Sequence, residues 1–389
     1  MLLKSASIRH YKSLDNVVIE FTRPVTVLVG HNAAGKSNIV DCLRFVRDAV
    51  AVDLEHAISS RGGIGRVRQY SKTRPYKLSF HLEFTQNFEP TSVAREFYDF
   101  SIQSHTTNNY SVDAESATWF ERSSGGESFT KANFLRDRGG QVNAGNDQRA
   151  YKLPLDQLAL GPLRMLGRSN GWSIAQFIRD WRYSALYPNM LRQPASPDKD
   201  RVLSEDGRNW ASVIKALRRS VRGRTALEKI YEAMRVILPN FKEVTVTTVG
   251  NYLIPRFAFS NKTHGQIEFD PVQLSDGTLR IFGILLALYQ SPAPELLFIE
   301  EPEQTVHPGV LGVLADAFRE ASESTQIVVT THSPQFIDHF VPEEVRVVYL
   351  DDGLTKVSAV RKMQIEAVKR RLMSMQDFML SEGLLPELA

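Results

Sequence analysis

The chain has 389 residues, 42% hydrophobic and 23% charged, which excludes intrinsic disorder and low-complexity architecture and allows one large domain with insertions or two domains. A formal charge of +3 permits contact with nucleic acid without demanding it. The single cysteine, Cys42, excludes an intramolecular disulfide and fits a reducing, cytoplasmic setting; the longest apolar run, Ile281–Tyr289, is too short to span a bilayer, so no membrane partner is expected.

The N-terminus carries Lys4, Arg9 and Lys12 but no apolar core of a signal peptide. Strands are expected at Leu3–Ile8, Val17–Phe21 and Val25–Val29, the last running straight into Gly30. A helix should follow from Lys36 to about Val52, because Ile39, Val40, Leu43, Val46 and Val50 recur at helical spacing. Between them, Gly30-His31-Asn32-Ala33-Ala34-Gly35-Lys36-Ser37 fits G-x-x-x-x-G-K-[ST] in full. Strand, glycine loop and helix in that order predict a phosphate-binding loop. Backbone N–H groups and the helix N-terminus hold phosphates, Lys36 neutralises the β and γ groups, and Ser37 ligates Mg²⁺. Gly30, Asn32, Gly35 and Asn38 complete the ATP contacts expected there.

From Tyr76 to Phe134, the alternation in Lys77–Phe84 and the aromatic residues after Phe97 predict an antiparallel sheet. Residues from about Leu153 to Leu238 read as helical, interrupted by a loop at Pro194–Asp200. Arg218, Arg219, Arg222 and Arg224, and later Lys369, Arg370 and Arg371, are either solvated helix faces or contacts to DNA. Strand character returns at Val244–Phe257, and the remainder alternates strand with helix, which implies parallel pairing. Val345–Leu350 and Leu354–Val360 flank Asp351-Asp352-Gly353, better read as a hairpin turn than as metal ligands.

Three further segments carry chemistry. In Glu295-Leu296-Leu297-Phe298-Ile299-Glu300-Glu301-Pro302, an apolar strand delivers two adjacent carboxylates to its end, where they are costly without a cation. This is a Walker B pattern, and alternation assigns Glu300 to the Mg²⁺ shell and Glu301 to polarising the attacking water. Leu274-Ser275-Asp276-Gly277-Thr278-Leu279 precedes an apolar helix, so Ser275, Asp276 and Gly277 stand at a helix N-terminus suited to a γ-phosphate. Val328–Pro334 is a strand ending in His332, which resembles a switch histidine that contacts the γ-phosphate and the attacking water.

Taken in order, these motifs resemble the RecF, SMC and OLD-like group of ABC ATPases, particularly stand-alone members whose Walker B reads like Glu300-Glu301-Pro302-Glu303 with His307-Pro308 beyond it. Arg9–Leu14 is similar to an element of SMC and RecF heads whose basic residue approaches the nucleotide, here Lys12. Gln304–Gly309 takes the D-loop position, although His307 can equally be a simple helix start before Pro308. The likeness covers roughly residues 1–90 and 240–360 and touches the middle only around Asp206–Trp210. Ala33 stands where the family has glycine, and no clear Q-loop glutamine appears, Gln69 and Gln157 being weak candidates.

The resemblance implies an α/β fold: an ABC-type P-loop head with an antiparallel β subdomain and an inserted helical region. The expected parts are an N-terminal half-head (1–90), a β-rich insertion (91–152), a helical insertion (153–240) and a C-terminal half-head (241–389). It also implies an ATPase using ATP and Mg²⁺, with each ATP held between Lys36, Ser37 and Glu300 of one copy and Ser275 and Gly277 of another. The implied partners are a second copy, DNA in repair or maintenance, or a separately encoded nuclease or toxin in anti-phage defence. Transport fits poorly, since no membrane segment is present. OLD-type proteins often carry a TOPRIM nuclease after the histidine. The tail after His332 is too short for one, and Glu366, Asp377, Glu382 and Glu387 are scattered, so the chain alone is expected to cut no nucleic acid.

Overall fold

The computed structural model describes residues 1–22, 25–70, 76–87, 93–105, 109–122, 129–144, 150–163, 172–263 and 265–387. Val25–Val29 is buried at every position, as a strand covered on both faces must be. It lies inside a six-stranded sheet ordered Trp181–Ser184, Leu296–Glu300, Gln326–Thr331, Val25–Val29, Val345–Asp351, Leu354–Ala359. All neighbours are parallel except the last two strands, which form a hairpin. Because an N-terminal strand sits between two C-terminal ones, neither end of the chain can complete this sheet alone.

Residue alternation divides each central strand between two cores. Leu28, Phe298 and Val328 face the helix Lys36–Ala51. Leu3, Ala6 and Ile8 of an eight-stranded antiparallel sheet cover that helix from the other side. On the opposite face, Val27, Leu297, Ile299 and Val329 pack on the helices Trp210–Leu217, Val221–Ile237, Asp276–Tyr289 and Leu311–Ala321. Phe298 stacks on Tyr183 at 4.6 Å, and truncating so buried an aromatic costs about 3–5 kcal/mol.

Two expectations change. Residues 153–240 are not helical throughout: Trp181–Ser184 is the edge strand beside Leu296–Glu300, with Tyr183 covered by Arg44 at 4.9 Å. Four residues are too few to show a period, and the partner is more than a hundred positions away. The boundary expected near residue 90 falls between two paired strands, Leu78–Asn87 and Val93–Ser104, of the antiparallel sheet that Leu2–Arg9 and Val17–Glu20 also join. The strand character expected at Val244–Phe257 is a hairpin, Phe241–Val249 and Tyr252–Asn261, turned at Gly250 (φ 56°) and extended antiparallel by Gly265–Phe269. The basic tail is helical as expected, in two pieces, Lys362–Lys369 and Met375–Ser381; Arg371 (φ 57°) lies between them and Ser374 caps the second.

The turn at Asp352 (φ 49°) and Gly353 (φ 75°) has the two positive angles that a two-residue hairpin requires.

Candidate nucleotide site

Parallel register brings the functional segments to one edge. Glu300 pairs with Thr330, and Thr331 pairs with Val29, so the residues that follow (Glu301, His332 and Gly30) emerge together at the carboxyl ends of the strands. Both loop glycines are obligatory. A Cβ on Gly30 would lie 2.1 Å from the Val348 carbonyl oxygen, and Gly35 (φ 102°) would place one 1.9 Å from Thr355 Oγ1. A hydroxyl chain clamps the loop from outside: Asn38 Nδ2 donates to Ser13 Oγ (2.7 Å), which lies 2.7 Å from Thr355 Oγ1, which donates to the Ala34 carbonyl (3.0 Å).

Lys36 is buried, with Nζ donating to the carbonyls of Gly30 (2.7 Å) and His31 (3.1 Å). Burial lowers its pKa, against the pull of Glu301 and Glu303. Ser37 Oγ donates to Glu300 Oε2 at 3.3 Å. Burial raises the Glu300 pKa; Arg44 and Ser37 oppose the shift, while Glu205 and Glu301 add like charge. Glu301 faces the other way: Oε1 is 3.2 Å from His332 Nδ1, and Gln304 Nε2 donates to Oε2. The adjacent carboxylates thus serve different neighbours, one toward the loop hydroxyl and one toward the histidine.

Ser275 caps its helix, accepting from the Thr278 N–H at 3.2 Å, and Asp276 pairs with Arg192 at 2.5 Å. Ser275 and Asp276 are exposed, and Gly277 packs so closely on the D-loop that a Cβ would lie 2.6 Å from the Thr305 carbonyl oxygen. Among the described residues, neither Ser275 nor Gly277 bonds to the phosphate loop of its own chain.

Some expected residues have other company. Lys12 Nζ donates to Asp41 at 2.6 Å, and Arg61 holds the other oxygen of that carboxylate at 2.9 Å. Asn38 is occupied with Ser13, while Asn32 lines a cavity of about 380 Å³ beside the loop with His31, His332 and Met379. The His307 ring accepts from the Gly309 N–H at 3.1 Å, so it caps the short helix Pro308–Val310, the plainer of its two readings. Gln69 pairs through its backbone with His10, and Gln157 through its backbone with Pro154; no side-chain bond joins either to Ser37 or Glu300. In the tail, Asp377 Oδ2 accepts from the Ser374 N–H, Glu382 accepts from Gln364, and Glu387 accepts from the Lys362 N–H.

Sequence reasoning passed over Arg280, Glu303 and Glu205. Arg280 is buried in the helix Asp276–Tyr289 and donates to the carbonyls of Glu300 (3.2 Å) and Glu301 (2.9 Å). Its signal was a lone cation in an otherwise apolar run. Glu303 bonds the histidine loop. Glu205, from the middle of the chain, pairs with Arg44 on the phosphate-loop helix, a contact no local pattern announces.

The fold is that of SMC heads, and it carries a complete phosphate-loop pattern at the carboxyl ends of its parallel strands. A family model described as "AAA domain, putative AbiEii toxin, Type IV TA system" matches residues 25–338, and the chain belongs to that family. A 46-residue stretch is 41% identical to the DNA replication and repair protein RecF of Cyanothece sp., spanning 12% of each chain. A 45-residue stretch is 42% identical to the DNA double-strand break repair Rad50 ATPase of Sulfurisphaera tokodaii, spanning 12% of this chain and 5% of that one. Among solved structures, the SMC head bound to the C-winged helix domain of ScpA matches with a TM-score of 0.59 at 14% identity, over 94% of this chain and 99% of that one. An SMC head with an extended coiled coil, bound to the C-terminal domain of ScpA derived from Pyrococcus furiosus, matches with a TM-score of 0.56 at 11% identity, over 95% and 99%. These identities establish likeness of fold. No helix among the described residues is long and apolar enough to cross a membrane.

Proposed function

We propose that the protein is a Mg²⁺-dependent ATPase that acts as a head-to-tail dimer in DNA maintenance. One observation carries the reading. Lys36, Ser37, Glu300, Glu301 and His332 converge at one strand edge, whereas the exposed Ser275 starts another helix and, among the described residues, bonds to none of them. A second copy would supply its Ser275 and Gly277 to the γ-phosphate, the helix N-terminus favouring that charge.

The residues suit the cofactors. Glycines that exclude any Cβ keep the loop backbone close for phosphates, and the Glu300 carboxylate beside the Ser37 hydroxyl matches the hard oxygen ligands of Mg²⁺. Ser37 and Glu300 would hold the ion, which supplies charge neutralisation across the phosphates when bound. Lys36 turns from its loop carbonyls to the β and γ groups. Glu301 accepts a hydrogen bond from the attacking water, and His332 orients that carboxylate and meets the γ-phosphate. Release of the γ-phosphate removes the charge-assisted contacts that join the copies, so the dimer opens.

The short likenesses to RecF and Rad50 support a DNA partner, as do Arg219 and Arg222, exposed and without an ion pair among the described residues. The lone buried Cys42 suits the cytoplasm. The family's description favours a second reading, in which the ATPase governs a separately encoded toxin or nuclease. ATPase rates with and without DNA separate the two: salt-sensitive stimulation by DNA supports maintenance, and indifference to DNA supports the second. Lys36→Ala should abolish nucleotide binding; wild-type affinity in that variant would overturn the site. Ser275→Arg should block the dimer, and mixing it with Lys36→Ala should restore at most one working site per pair.

A further inference from the structure

Glu303 is the third carboxylate of Glu300-Glu301-Pro302-Glu303, and the roles above leave it without a task. Its side chain is only 8% exposed. Oε1 accepts from the Thr331 hydroxyl at 2.6 Å and from the His332 backbone N–H at 3.3 Å. The same hydroxyl accepts from the Ser333 N–H at 3.0 Å. Three consecutive residues of the histidine loop are therefore gathered, directly or through one hydroxyl, on a single buried oxygen.

The His332 ring is much freer, its side chain 44% exposed. Nδ1 lies 3.2 Å from Glu301 Oε1 and 3.9 Å from Glu303 Oε1, so the direction of the ring depends on where its backbone is held. Glu303 Oε2 is buried with no hydrogen-bond partner among the described residues. Burial raises the Glu303 pKa, against the Thr331 hydroxyl and the His332 N–H and ring, and Lys36 and Arg280 are the further cations whose charge reaches it. A carboxylate kept at this cost, half-satisfied, is maintained by what its satisfied half does.

We infer that Glu303 is a positioning residue that holds the Thr331–Ser333 loop so that the His332 ring faces Glu301. The inference rests on the ATPase reading, in which that pair meets the attacking water. Displacing such a pair by a fraction of an ångström to 1 Å lowers turnover by about ten- to a hundredfold while leaving ground-state binding alone.

The test uses the full chain with Glu303→Ala, Glu303→Gln, Thr331→Val and Thr331→Ser, following kcat and KM for ATP together with the His332 ring ¹⁵N resonances, assigned with His332→Gln. E303A is expected to lose about tenfold or more in kcat, with KM within about twofold. E303Q retains an acceptor at Oε1 and should keep most of kcat, and T331S should rescue what T331V loses. In nucleotide-free protein the His332 resonances should move toward free imidazole in E303A and T331V, and stay in place in E303Q and T331S. Should E303A not fold, T331V decides. Unmoved resonances in E303A or T331V would overturn the inference, as would an equal loss of kcat in E303A and E303Q. A wild type that hydrolyses no ATP sinks the ATPase reading instead, and the resonances still decide whether Glu303 holds the loop.

Discussion

Arg280→Ala probes the link between the helix Asp276–Tyr289 and the strand Leu296–Glu300. Arg280 is 7% exposed; Nη1 donates to the Leu186 carbonyl at 2.6 Å, and Nη2 to those of Glu300 and Glu301 at 3.2 and 2.9 Å. Glu301 has φ 44°, a left-handed conformation that costs a residue with a Cβ about 1–2 kcal/mol. Its N–H is held by the Thr330 carbonyl at 2.9 Å and its own carbonyl by Arg280, so the strained residue is gripped at both ends. Each bond from a charged donor is worth about 1.5–3 kcal/mol. Because the three share one side chain, and water re-solvates part of what is lost, the net destabilisation should be about 3–5 kcal/mol. Released from Arg280, Glu301 can relax toward ordinary backbone angles, and kcat should fall about tenfold or more. Arg280→Lys keeps the charge but not the planar fork, and should be intermediate. Denaturant unfolding gives the stability change, and ATPase and nucleotide-binding assays on the same preparations give the rest. An R280A protein with the wild-type midpoint and wild-type kcat would refute this reasoning.

Glu301→Gln should bind ATP yet hydrolyse it about 10²–10⁴ times more slowly, since an amide cannot take up the developing proton. Light scattering with ATP should then show two copies per particle, and a persistent monomer counts against the head-to-tail dimer. Glu115 is fully buried, and desolvation raises its pKa from 4.5 to about 7 against hydrogen bonds from Ala159, Leu160 and Tyr98 and the charge of Arg136. Because the folded pKa is the higher, the unfolded chain releases this proton first as pH rises, so stability is lost between about pH 4.5 and 7, by roughly 3 kcal/mol at most. Glu115→Gln should remove that slope, and unfolding curves for the two proteins that stay parallel across this window would rule the explanation out. Ala33 sits at φ 65° in the phosphate loop, so Ala33→Gly should stabilise by about 1 kcal/mol and raise Tm by about 1–2 °C; a lowered Tm would contradict it.

Much of the candidate site was legible because its chemistry is local. Gly30, Gly35, Lys36 and Ser37 are neighbours whose spacing is itself the geometry of a phosphate cradle, and the apolar run before Glu300 announces a buried strand by composition alone. The hairpin at Asp352-Gly353 was legible for the same reason, since positive backbone angles belong to the residues that need them. By itself, then, the sequence determined the family's fold, the strand–glycine loop–helix unit, the strand that ends in the acidic pair and the strand that leads to the histidine.

Tertiary structure decided which groups meet. The strand at Trp181–Ser184 became an edge of the parallel sheet because Phe298 offers an aromatic face to Tyr183, not because its four residues prefer to be extended. Lys12 went to Asp41, a carboxylate one turn along the phosphate-loop helix, and Gly277 came to rest on Thr305. Arg280 and Glu303 acquired their partners only when the strand register aligned Glu300 with Thr330. A side chain's hydrogen-bond partner depends on distances across the sheet, which the order of residues along the chain does not encode locally. Those distances exist only once the buried faces of both cores have packed.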